Sequence, residues 1–434
     1  MQNNQERAID EEIIPKNPIT LSPDQEAAVG AFMGFLLDPS EKELVLTGSA
    51  GVGKTFLTKF LLKVAREDKH MLKLLTDNYQ ELNVVLASTT NKAAKVLEDD
   101  INEEVRTIHS ILGLRVVNDF KTGVTRLKKS ADSDVIKNSL IFIDEASMCD
   151  AALLKEIRDS TMDCKIVYIG DANQLAPVFE NSCPVFESVG NQQKLTTIQR
   201  QAKNSPIISY AYKYIHALHT GEFDAEIPEC DEITHLGGED FRAAIHDTFT
   251  ENWDVDHGRV VAWTNARVHQ YNAYIRSIYT NSPDYQVGEY LLTNQPIIKG
   301  SKVQASTDSI SKITAICPDT VNGIPGWFID LDIGVTVFQA RDQDMVKSHL
   351  KKLAAVKNWQ TYFEQKEFFA DMRPIYANTV NKAQGSSYDT VLIDLDDIGR
   401  NRKNAEIARL MYVAITRARY KVIMTGHLPA RLYK

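Results

Sequence analysis

Residues 48–55 have the types and the spacing that are needed to hold a phosphate group. They are Gly48, Ser49, Ala50, Gly51, Val52, Gly53, Lys54 and Thr55, and they fit the pattern G-x-x-x-x-G-K-[ST]. Glycines in such a loop let backbone N–H groups curl around phosphate oxygens, and a helix that follows contributes a positive dipole. The pattern predicts that Lys54 reaches the β- and γ-phosphates of ATP and that the Thr55 hydroxyl binds Mg²⁺. A glycine-rich turn without a ligand is the alternative interpretation.

Two acidic residues follow an apolar run further along the chain. Asp144 and Glu145 come directly after Ile141-Phe142-Ile143. A buried parallel strand of this kind ends at the edge of the sheet where phosphate loops also lie, so both carboxylates are expected beside the nucleotide. Asp144 would hold Mg²⁺ through water, and Glu145 would orient and deprotonate the attacking water. An ordinary strand end is the alternative.

Short apolar runs alternate with helical patterns on both sides of these motifs. The runs occupy residues 44–46, 84–87, 140–143, 166–169, 260–263 and 422–424. Continuous apolar runs are typical of parallel strands that are covered on both faces, so the sequence predicts an α/β fold. Helical patterns at residues 24–37, 55–67 and 92–98 would supply part of the covering layers.

The length of 434 residues predicts more than one domain. We expect a first α/β domain over residues 1–195 and a second over residues 196–434. Residues 113–130 have the pattern of a β-hairpin inserted in the first domain, with a turn at Lys121-Thr122-Gly123. Residues 288–372 have short strand patterns and turn signals, followed by a helical stretch near residues 342–371. They are expected to form a small β-barrel inserted in the second domain.

The composition excludes several classes of protein. The apolar share of 43% and the charged share of 25% are ordinary for a globular chain, and no stretch approaches the roughly 20 apolar residues that span a membrane. The first 18 residues are polar and lack the apolar segment of a secretory signal. Five cysteines without a C-x-x-C pair favour a reducing cytoplasm. The net charge of −9 leaves room for a local basic channel but not for a generally basic surface.

Four segments resemble the motifs of superfamily 1 helicases. They are residues 144–147 (Asp-Glu-Ala-Ser), 170–178 (Gly-Asp-Ala-Asn-Gln-Leu-Ala-Pro-Val), 379–387 (Thr-Val-Asn-Lys-Ala-Gln-Gly-Ser-Ser) and 412–418 (Tyr-Val-Ala-Ile-Thr-Arg-Ala). Residues 107–112 and 195–200 resemble the RecD-like branch of that superfamily. The resemblance runs in order over nearly the whole chain, and the motifs are specific as a set. It implies two RecA-like domains with ATP in the cleft between them, an inserted hairpin pin in the first domain and an SH3-like barrel in the second.

The same resemblance assigns further residues to the ATP site. Gln25 is similar to the glutamine that recognises adenine, although an ordinary polar residue on a first helical turn is the alternative. Gln174 would contact the γ-phosphate, and Gly385 would lie near the nucleotide. Arg200 and Arg417 would reach the γ-phosphate from the second domain, because a guanidinium stabilises charge on the transferring phosphoryl group. Hydrolysis would then depend on closure of the cleft.

The resemblance also implies contacts with single-stranded DNA. The candidate residues are Thr90, Lys92, His109, Phe120, Thr264, Asn265 and Thr379. Phe120, near the tip of the predicted hairpin, would stack on the terminal base pair, and a plain surface hairpin is the alternative. A buried, hydrogen-bonded side chain is the alternative for His109. Thr89 and Asn381 stand where the family has Pro and His, so a stacking contact and the coupling between the sites are expected to differ.

The function that the resemblance implies is unwinding of DNA in the 5′-to-3′ direction, driven by ATP and Mg²⁺, in phage-type replication or recombination. The expected partners of a monomer are single-stranded DNA and junctions with duplex, with single-strand-binding or replication proteins as further candidates. Three alternatives stay open: a translocase that strips proteins without opening duplex, a non-catalytic adaptor, and an enzyme that acts on RNA. A catalytic residue is present at every position where the family has one, which argues against the adaptor. No pattern in the sequence indicates recognition of the RNA 2′-hydroxyl.

Overall fold

The computed structural model describes most of the chain. The described residues are 20–67, 81–130, 133–177, 180, 182–199, 204–250, 253–280, 282, 284–299 and 302–433. The polar leader predicted at the start of the chain and the predicted catalytic Arg200 lie outside these ranges.

The first domain is built on a parallel sheet. Its strands are β1 (Glu43–Gly48), β2 (Asn83–Ser88), β3 (Arg106–Thr107), β4 (Leu114–Asn118), β5 (Thr125–Lys129), β6 (Ile136–Lys137), β7 (Ser139–Asp144), β8 (Thr161–Met162), β9 (Lys165–Gly170) and β10 (Gln192–Leu195). Its helices are α1 (Pro23–Leu37), α2 (Lys54–Glu67), α3 (Asn91–Ile101), α4 (Ile108–Ile111), α5 (Ala151–Asp159) and α6 (Pro184–Ser188), with a 3₁₀ turn at Ala146–Met148. The main sheet has the order β10-β1-β9-β7-β2-β3, and all its ladders are parallel.

Helices cover both faces of this sheet, which explains the continuous apolar runs. Side chains of a strand point alternately to opposite faces. Leu44 and Leu46 accordingly pack into one cluster with residues of α1 and α2, while Val45 packs into a second cluster with residues of α5. The predicted α/β architecture is confirmed by this arrangement.

A hairpin leaves the first domain between α4 and the strand β7. Its strands β4 and β5 pair antiparallel, and the cross-strand pair Val116 and Leu127 is 65% and 52% exposed. The turn includes Gly123, whose φ of 72° is a left-handed conformation that glycine adopts readily. A Cβ atom at Gly123 would lie 2.5 Å from the ring of Trp359, so the tip rests against a helix of the second domain.

The second domain has a parallel sheet of its own. Its strands are β11 (Ile233–Leu236), β12 (Gly258–Ala262), β21 (Ala377–Thr379), β22 (Tyr388–Asp394) and β23 (Ala418–Thr425). They lie in the order β11-β23-β22-β12-β21, and every ladder is parallel. The helices outside the insertion are α7 (Pro206–Thr220), α8 (Gly238–Thr248), α9 (Asn265–Tyr279), α12 (Val380–Ala383), α13 (Leu395–Ile398) and α14 (Asn404–Ile415), with a final 3₁₀ turn at Ala430–Tyr433.

The insertion between α9 and β21 is a compact β-module. Its strands are β13 (Tyr290–Thr293), β14 (Ile297–Lys299), β15 (Lys302–Ala305), β16 (Ile310–Val321), β17 (Ile324–Leu331), β18 (Val335–Ala340), β19 (Phe369–Ala370) and β20 (Met372–Pro374). The main sheet has the order β19-β18-β17-β16-β13-β20, and β19 and β20 are consecutive parts of one segment. That segment pairs with β18 at its start and with β13 at its end, so the strands form a closed ring. Its likeness to an SH3 barrel stays a prediction.

The helical stretch predicted near residues 342–371 consists of two helices. The structure has two helices there, α10 (Gln343–Ala355) and α11 (Trp359–Phe368), and residues after Phe368 belong to β19. Lys357 has a φ of 56°, which a continuous helix of L-residues does not accommodate. The Asn358 side chain then accepts a hydrogen bond from the Thr361 N–H and caps the second helix.

The cysteines make no disulfide, and Cys149, Cys164 and Cys183 are buried. Burial raises the pKa of the Cys149 and Cys183 thiols, which disfavours the reactive thiolate. Among the described helices, none has both the length and the apolar composition that a membrane crossing requires.

Asp24, in the first turn of α1, ties the segment between the two domains to the first domain. Its carboxylate accepts hydrogen bonds from the N–H groups of Thr196 and Thr197, at 2.6 and 2.7 Å, and from the Ser22 hydroxyl. Burial alone raises the pKa of Asp24, but these hydrogen bonds outweigh it and hold the pKa well below its ordinary value. The interdomain segment therefore leaves β10 along a path that this carboxylate fixes.

Replacement of Asp24 by Asn should lower the free energy of unfolding by about 1.5 to 3 kcal/mol, since it removes hydrogen bonds to a charged acceptor. A carboxyl with a depressed pKa stabilises the fold at neutral pH, and this stabilisation is lost as the pH falls below about 4. Urea denaturation of wild type and Asp24→Asn between about pH 7 and about pH 3.5 measures both effects. Glu26→Gln, an exposed charge in the same turn, is the control; a difference between wild type and Asp24→Asn that does not shrink in acid would contradict the assignment.

Candidate nucleotide site and nucleic-acid interface

Three neighbouring strands deliver the predicted catalytic segments to one edge of the first sheet. β1 ends in the loop at residues 48–53, β7 ends at Asp144, and β9, which lies between them, ends at Gly170. The carboxyl ends of parallel strands share an edge, so the phosphate loop, the acidic pair and the segment that follows Gly170 meet there. The sequence-based placement of these segments around one site agrees with this geometry.

The loop before α2 has the backbone conformation of a phosphate cradle. Gly51 and Gly53 have φ of 83° and 80°, a left-handed conformation that favours glycine. Lys54 begins α2, and its ammonium group donates hydrogen bonds to the carbonyls of Gly48 and Ser49 at 2.7 and 3.2 Å. Thr55 is exposed on the first turn of the helix, where its hydroxyl is accessible to a cation.

The acidic pair is held under electrostatic and conformational strain. Burial, together with the neighbouring Glu145 carboxylate, raises the pKa of Asp144 above its ordinary value. Glu145 has a φ of 52°, a left-handed conformation that costs a non-glycine residue on the order of 1 to 3 kcal/mol. Thr89 steadies this turn, because its hydroxyl donates to the Glu145 carbonyl at 3.0 Å. Two neighbouring carboxylates at the sheet edge that also carries the phosphate loop fit a hard divalent cation such as Mg²⁺, which favours oxygen ligands.

Two glutamines meet at the far side of the loop. Gln25 is buried, its amide oxygen accepts the Ser22 N–H at 3.1 Å, and its amide nitrogen donates to the Val52 carbonyl at 3.3 Å. Gln199 donates its backbone N–H to the Gly51 carbonyl at 2.9 Å and its side-chain amide to the Val52 carbonyl at 3.4 Å. Sequence reasoning identified Gln25 but missed Gln199, although Gln199 directly precedes the arginine that it assigned to the site.

Gln174 lies against the second domain. Its amide oxygen accepts a hydrogen bond of 2.9 Å from Gln384, and its backbone carbonyl accepts one from Arg409. Arg409 also donates to the Ala172 carbonyl at 2.8 Å. Sequence reasoning did not assign Gln384 or Arg409 to the site, although Gln384 is the neighbour of Gly385 in a quoted motif. The segment after β9 thus accepts hydrogen bonds from Arg409 of α14 and from Gln384, which caps the end of α12.

The guanidinium of Arg417 has hydrogen-bond partners in its own domain. It is buried and donates to the carbonyls of Val413 and Ser386, both at 3.1 Å. The role of Arg417 stays a prediction.

A cavity of about 360 Å³ lies between the domains, next to the acidic pair. Its lining residues are Thr89, Thr90, Asn91, Lys92, Glu145, Met148, Thr307, Asp308, Asn381, Lys382, Gln384 and Gly385. The cavity brings together two predicted DNA contacts, Thr90 and Lys92, with Gly385, which was expected near the nucleotide. Gly385 lies against α3, where a Cβ atom would be 3.6 Å from that of Ala93, and its contact with a nucleotide stays a prediction.

Basic side chains in this cavity already have partners. Lys92 reaches the hydroxyl of Tyr388 in the second domain, at 3.4 Å. Lys382 forms an ion pair with Asp308 of the β-module at 3.0 Å and donates to Asn294 at 2.8 Å. Any phosphate that binds these ammonium groups therefore competes with groups of the protein.

Three predicted DNA contacts are threonines at the ends of strands. Thr90, Thr264 and Thr379 each accept a backbone N–H from the first turn of the helix that follows. The Thr264 hydroxyl also donates to the buried Asp397 carboxylate at 2.8 Å, so this side chain has a structural role. Asn265, the next residue, is exposed at the start of α9.

The remaining two candidates lie outside the cavity. His109 is half-buried on α4, and burial lowers its pKa. Phe120 is 57% exposed at the hairpin tip, with its ring 5.5 Å edge-on from that of Phe363 in α11.

Comparisons with known proteins agree with this geometry. Residues 37–180 match the AAA domain family, and residues 374–425 match the UvrD-like helicase C-terminal domain. The ATP-dependent DNA helicase Dda of Enterobacteria phage T4 is 27% identical over 430 residues, which cover 87% of this chain and 93% of Dda. The ATP-dependent RecD2 DNA helicase of Deinococcus radiodurans is 27% identical over 199 residues, which cover 45% of this chain and 24% of RecD2.

The fold also resembles that of solved helicases. A structure of the Bacteroides Pif1 helicase in complex with ADP-AlF3 and single-stranded DNA covers 96% of this chain and 94% of its own, with a TM-score of 0.51 and 15% identity. At that identity the likeness establishes the fold, two RecA-like domains, and nothing more. Both family matches fall on the two sheet domains in the expected order, and the similarity to Dda spans nearly its whole length. The chain is therefore similar in both sheet domains to the superfamily 1 helicases, a group of ATP-hydrolysing enzymes, and among them it resembles Dda and the RecD proteins.

Proposed function

We propose that this chain is a DNA helicase that uses ATP and Mg²⁺ to move 5′ to 3′ on single-stranded DNA and to open duplex ahead of it. The observation that carries the proposal is the position of Glu145. It follows the strand that delivers Asp144 to the phosphate loop, and it also lines the interdomain cavity with Thr90 and Lys92. One residue thus belongs to both the hydrolytic site and the nucleic-acid interface.

The hydrolytic roles follow from the geometry of the first domain. Lys54 would exchange its carbonyl partners for phosphate oxygens, which are stronger acceptors for an ammonium group. Thr55 and Asp144 would hold Mg²⁺, which neutralises charge on the phosphates. Glu145 would orient and deprotonate the attacking water, and Gln174 would sense the γ-phosphate. Arg200 and Arg417 would complete the site when the domains close.

A nucleic-acid strand would bind across the cavity that both domains line. Helix α3 begins there with Thr90 as its N-cap, and a helix N-terminus attracts phosphate. Single-strand binding without sequence preference requires backbone contacts of this type more than base recognition. Closure of the cleft would change the distance between the two sides of the cavity, which carry Lys92 and Lys382. ATP hydrolysis would thereby move the enzyme one step along the DNA strand. We also propose that the chain acts as a monomer in replication or recombination.

The hairpin formed by β4 and β5 would separate the strands. Its tip carries the exposed Phe120, and Asn118 donates to Glu367 of α11 at 3.2 Å, so the tip is braced by the β-module. A braced aromatic ring can stack on the last base pair without being displaced by it. The name of Dda states that it is an ATP-dependent DNA helicase. This supports an unwinding function for the present chain, because the match to Dda covers 87% of the chain.

Forked DNA with either a 5′ or a 3′ single-stranded overhang tests the proposal directly. We expect unwinding from the 5′ overhang only, with ATP and Mg²⁺, because the resemblance to the RecD-like branch implies that polarity. Lys54→Ala should abolish hydrolysis, and Glu145→Gln should bind ATP but turn it over at least about 100-fold more slowly. Unwinding from the 3′ overhang would overturn the polarity. Single-strand-stimulated hydrolysis without unwinding from either end would identify a translocase instead.

Phe120→Ala should slow unwinding of the 5′-tailed fork by about tenfold, since stacking on one base is worth about 1 to 3 kcal/mol. The rate of ATP hydrolysis stimulated by single-stranded DNA should stay unchanged, because the hairpin tip is remote from the phosphate loop. Tyr420→Ala, which removes another exposed aromatic ring from a different surface, is the matched control. Equal unwinding by Phe120→Ala and this control would refute the strand-separating role.

Asp308→Asn should strengthen binding of oligo(dT), because it releases Lys382 from its ion pair. One additional phosphate contact would make the slope of log affinity against log salt steeper by about 0.7. Fluorescence anisotropy at several salt concentrations measures both quantities. Asp319→Asn removes the same charge from an exposed site of the β-module and serves as control. An unchanged slope in Asp308→Asn would show that Lys382 does not contact DNA.

A further inference from the structure

The second domain holds one residue of the phosphate loop from both sides. The N–H group of Ala50 donates to the hydroxyl of Tyr412 at 2.7 Å, and the Ala50 carbonyl accepts from the hydroxyl of Tyr212 at 3.2 Å. Tyr412 lies on α14 and Tyr212 on α7, so two separate helices converge on a single residue. These two hydrogen bonds connect the loop directly to the second domain, and the Ala50 side chain also packs against the apolar core of that domain.

The Tyr412 hydroxyl has a second partner. It donates its only proton to the carboxylate of Asp171, which follows β9, and it must therefore accept from Ala50. Tyr412 and Asp171 are both 1% exposed, so water does not substitute for either bond. One hydroxyl thus connects three segments: the phosphate loop, the end of β9 and the helix α14.

The same end of β9 is connected to the loop by a second route. Asn173 donates to the Ser49 hydroxyl at 3.0 Å and lies 3.0 Å from the ring nitrogen of His219 on α7. One turn before Tyr412, Arg409 donates to carbonyls on both sides of Asn173. The face of α14 that carries Arg409 and Tyr412 therefore contacts the loop and the segment after β9 together.

Ala50 lies in the phosphate loop, where a bound phosphate would change the orientation of the backbone. Backbone N–H groups of such a loop turn toward bound phosphate, and the Ala50 N–H is directed at Tyr412 instead. A rotation of this peptide toward a ligand would break its hydrogen bond to the Tyr412 hydroxyl. That hydroxyl would then keep Asp171 as its hydrogen-bond partner. The position of α14 would then change with the occupancy of the loop.

We infer that Tyr412 is a positioning residue that couples nucleotide binding in the loop to DNA binding between the domains. The inference rests on the proposed function and deepens it. Tyr412 does not take part in the chemistry; it transmits the conformation of the Ala50 peptide through α14, whose following residues include Arg417. Tyr212 supports the same contact from the carbonyl side.

The test is the coupling between two ligands in the full chain. The dissociation constant of a non-hydrolysable ATP analogue with Mg²⁺ is measured with and without saturating oligo(dT). Coupling free energies between sites correspond to affinity ratios of about 5 to 150, and we expect a wild-type ratio in this range. Tyr412→Phe should reduce the ratio to within about twofold of unity, and Tyr212→Phe should reduce it partly.

Tyr214→Phe is the matched control, because it removes a buried hydroxyl that pairs only with Tyr210 inside the second domain. It should leave the affinity ratio at the wild-type value, which a general loss of packing would not. If Tyr412→Phe does not fold, the affinity ratio of Tyr212→Phe, a substitution at a half-buried position, tests the inference. A wild-type ratio in Tyr412→Phe and Tyr212→Phe would overturn the inference, as would a wild-type chain that shows DNA-stimulated hydrolysis with a ratio of one. A wild-type chain without DNA-stimulated hydrolysis would overturn the proposed function.

Discussion

The two domains meet through polar groups, and the behaviour of the site depends on this. The apolar clusters of the sheets stay within their own domains, apart from Leu175 and the half-buried Ala50, which pack with residues of the second domain. The contacts across the cleft are instead hydroxyls, amides, a guanidinium and backbone groups. Such groups exchange protein partners for water or phosphate at a net cost of only about 1 kcal/mol each. An interface of this kind can open and close repeatedly without exposing a hydrophobic core.

Within this cleft, the lysine side chains that would bind charged ligands form hydrogen bonds or ion pairs with groups of the protein. Lys54 is held by loop carbonyls, Lys382 by Asp308, and Lys92 by the hydroxyl of Tyr388. The acidic pair is left under strain, with a raised Asp144 pKa and a left-handed Glu145. A cation would relieve the repulsion between the carboxylates, so the site favours binding without being preformed in every contact.

Local pattern was sufficient to predict the strands, the phosphate loop and the acidic pair, because apolar runs and glycine spacing are properties of short segments. It was not sufficient for contacts between distant segments, such as Tyr412 with Ala50 or Asp24 with Thr197. Their residue types are ordinary, and only the tertiary fold gives them partners. The break at Lys357 was missed for a related reason, since a left-handed lysine has no sequence signature. The hydrogen bond from Arg417 to the Ser386 carbonyl likewise joins residues 31 positions apart.

The connectivity of the second sheet has a consequence for synthesis on the ribosome. Strand β11 pairs with β23, and the hydrogen bond from Thr425 to Leu236 joins residues 189 positions apart. The β-module closes on itself through β19 and β20, well before β22 and β23 are made. Contacts so distant in sequence form slowly, and domains emerge and fold from the N-terminal side. The nascent chain therefore passes through a stage in which the first domain and the module are folded while the sheet of the second domain still lacks β22 and β23.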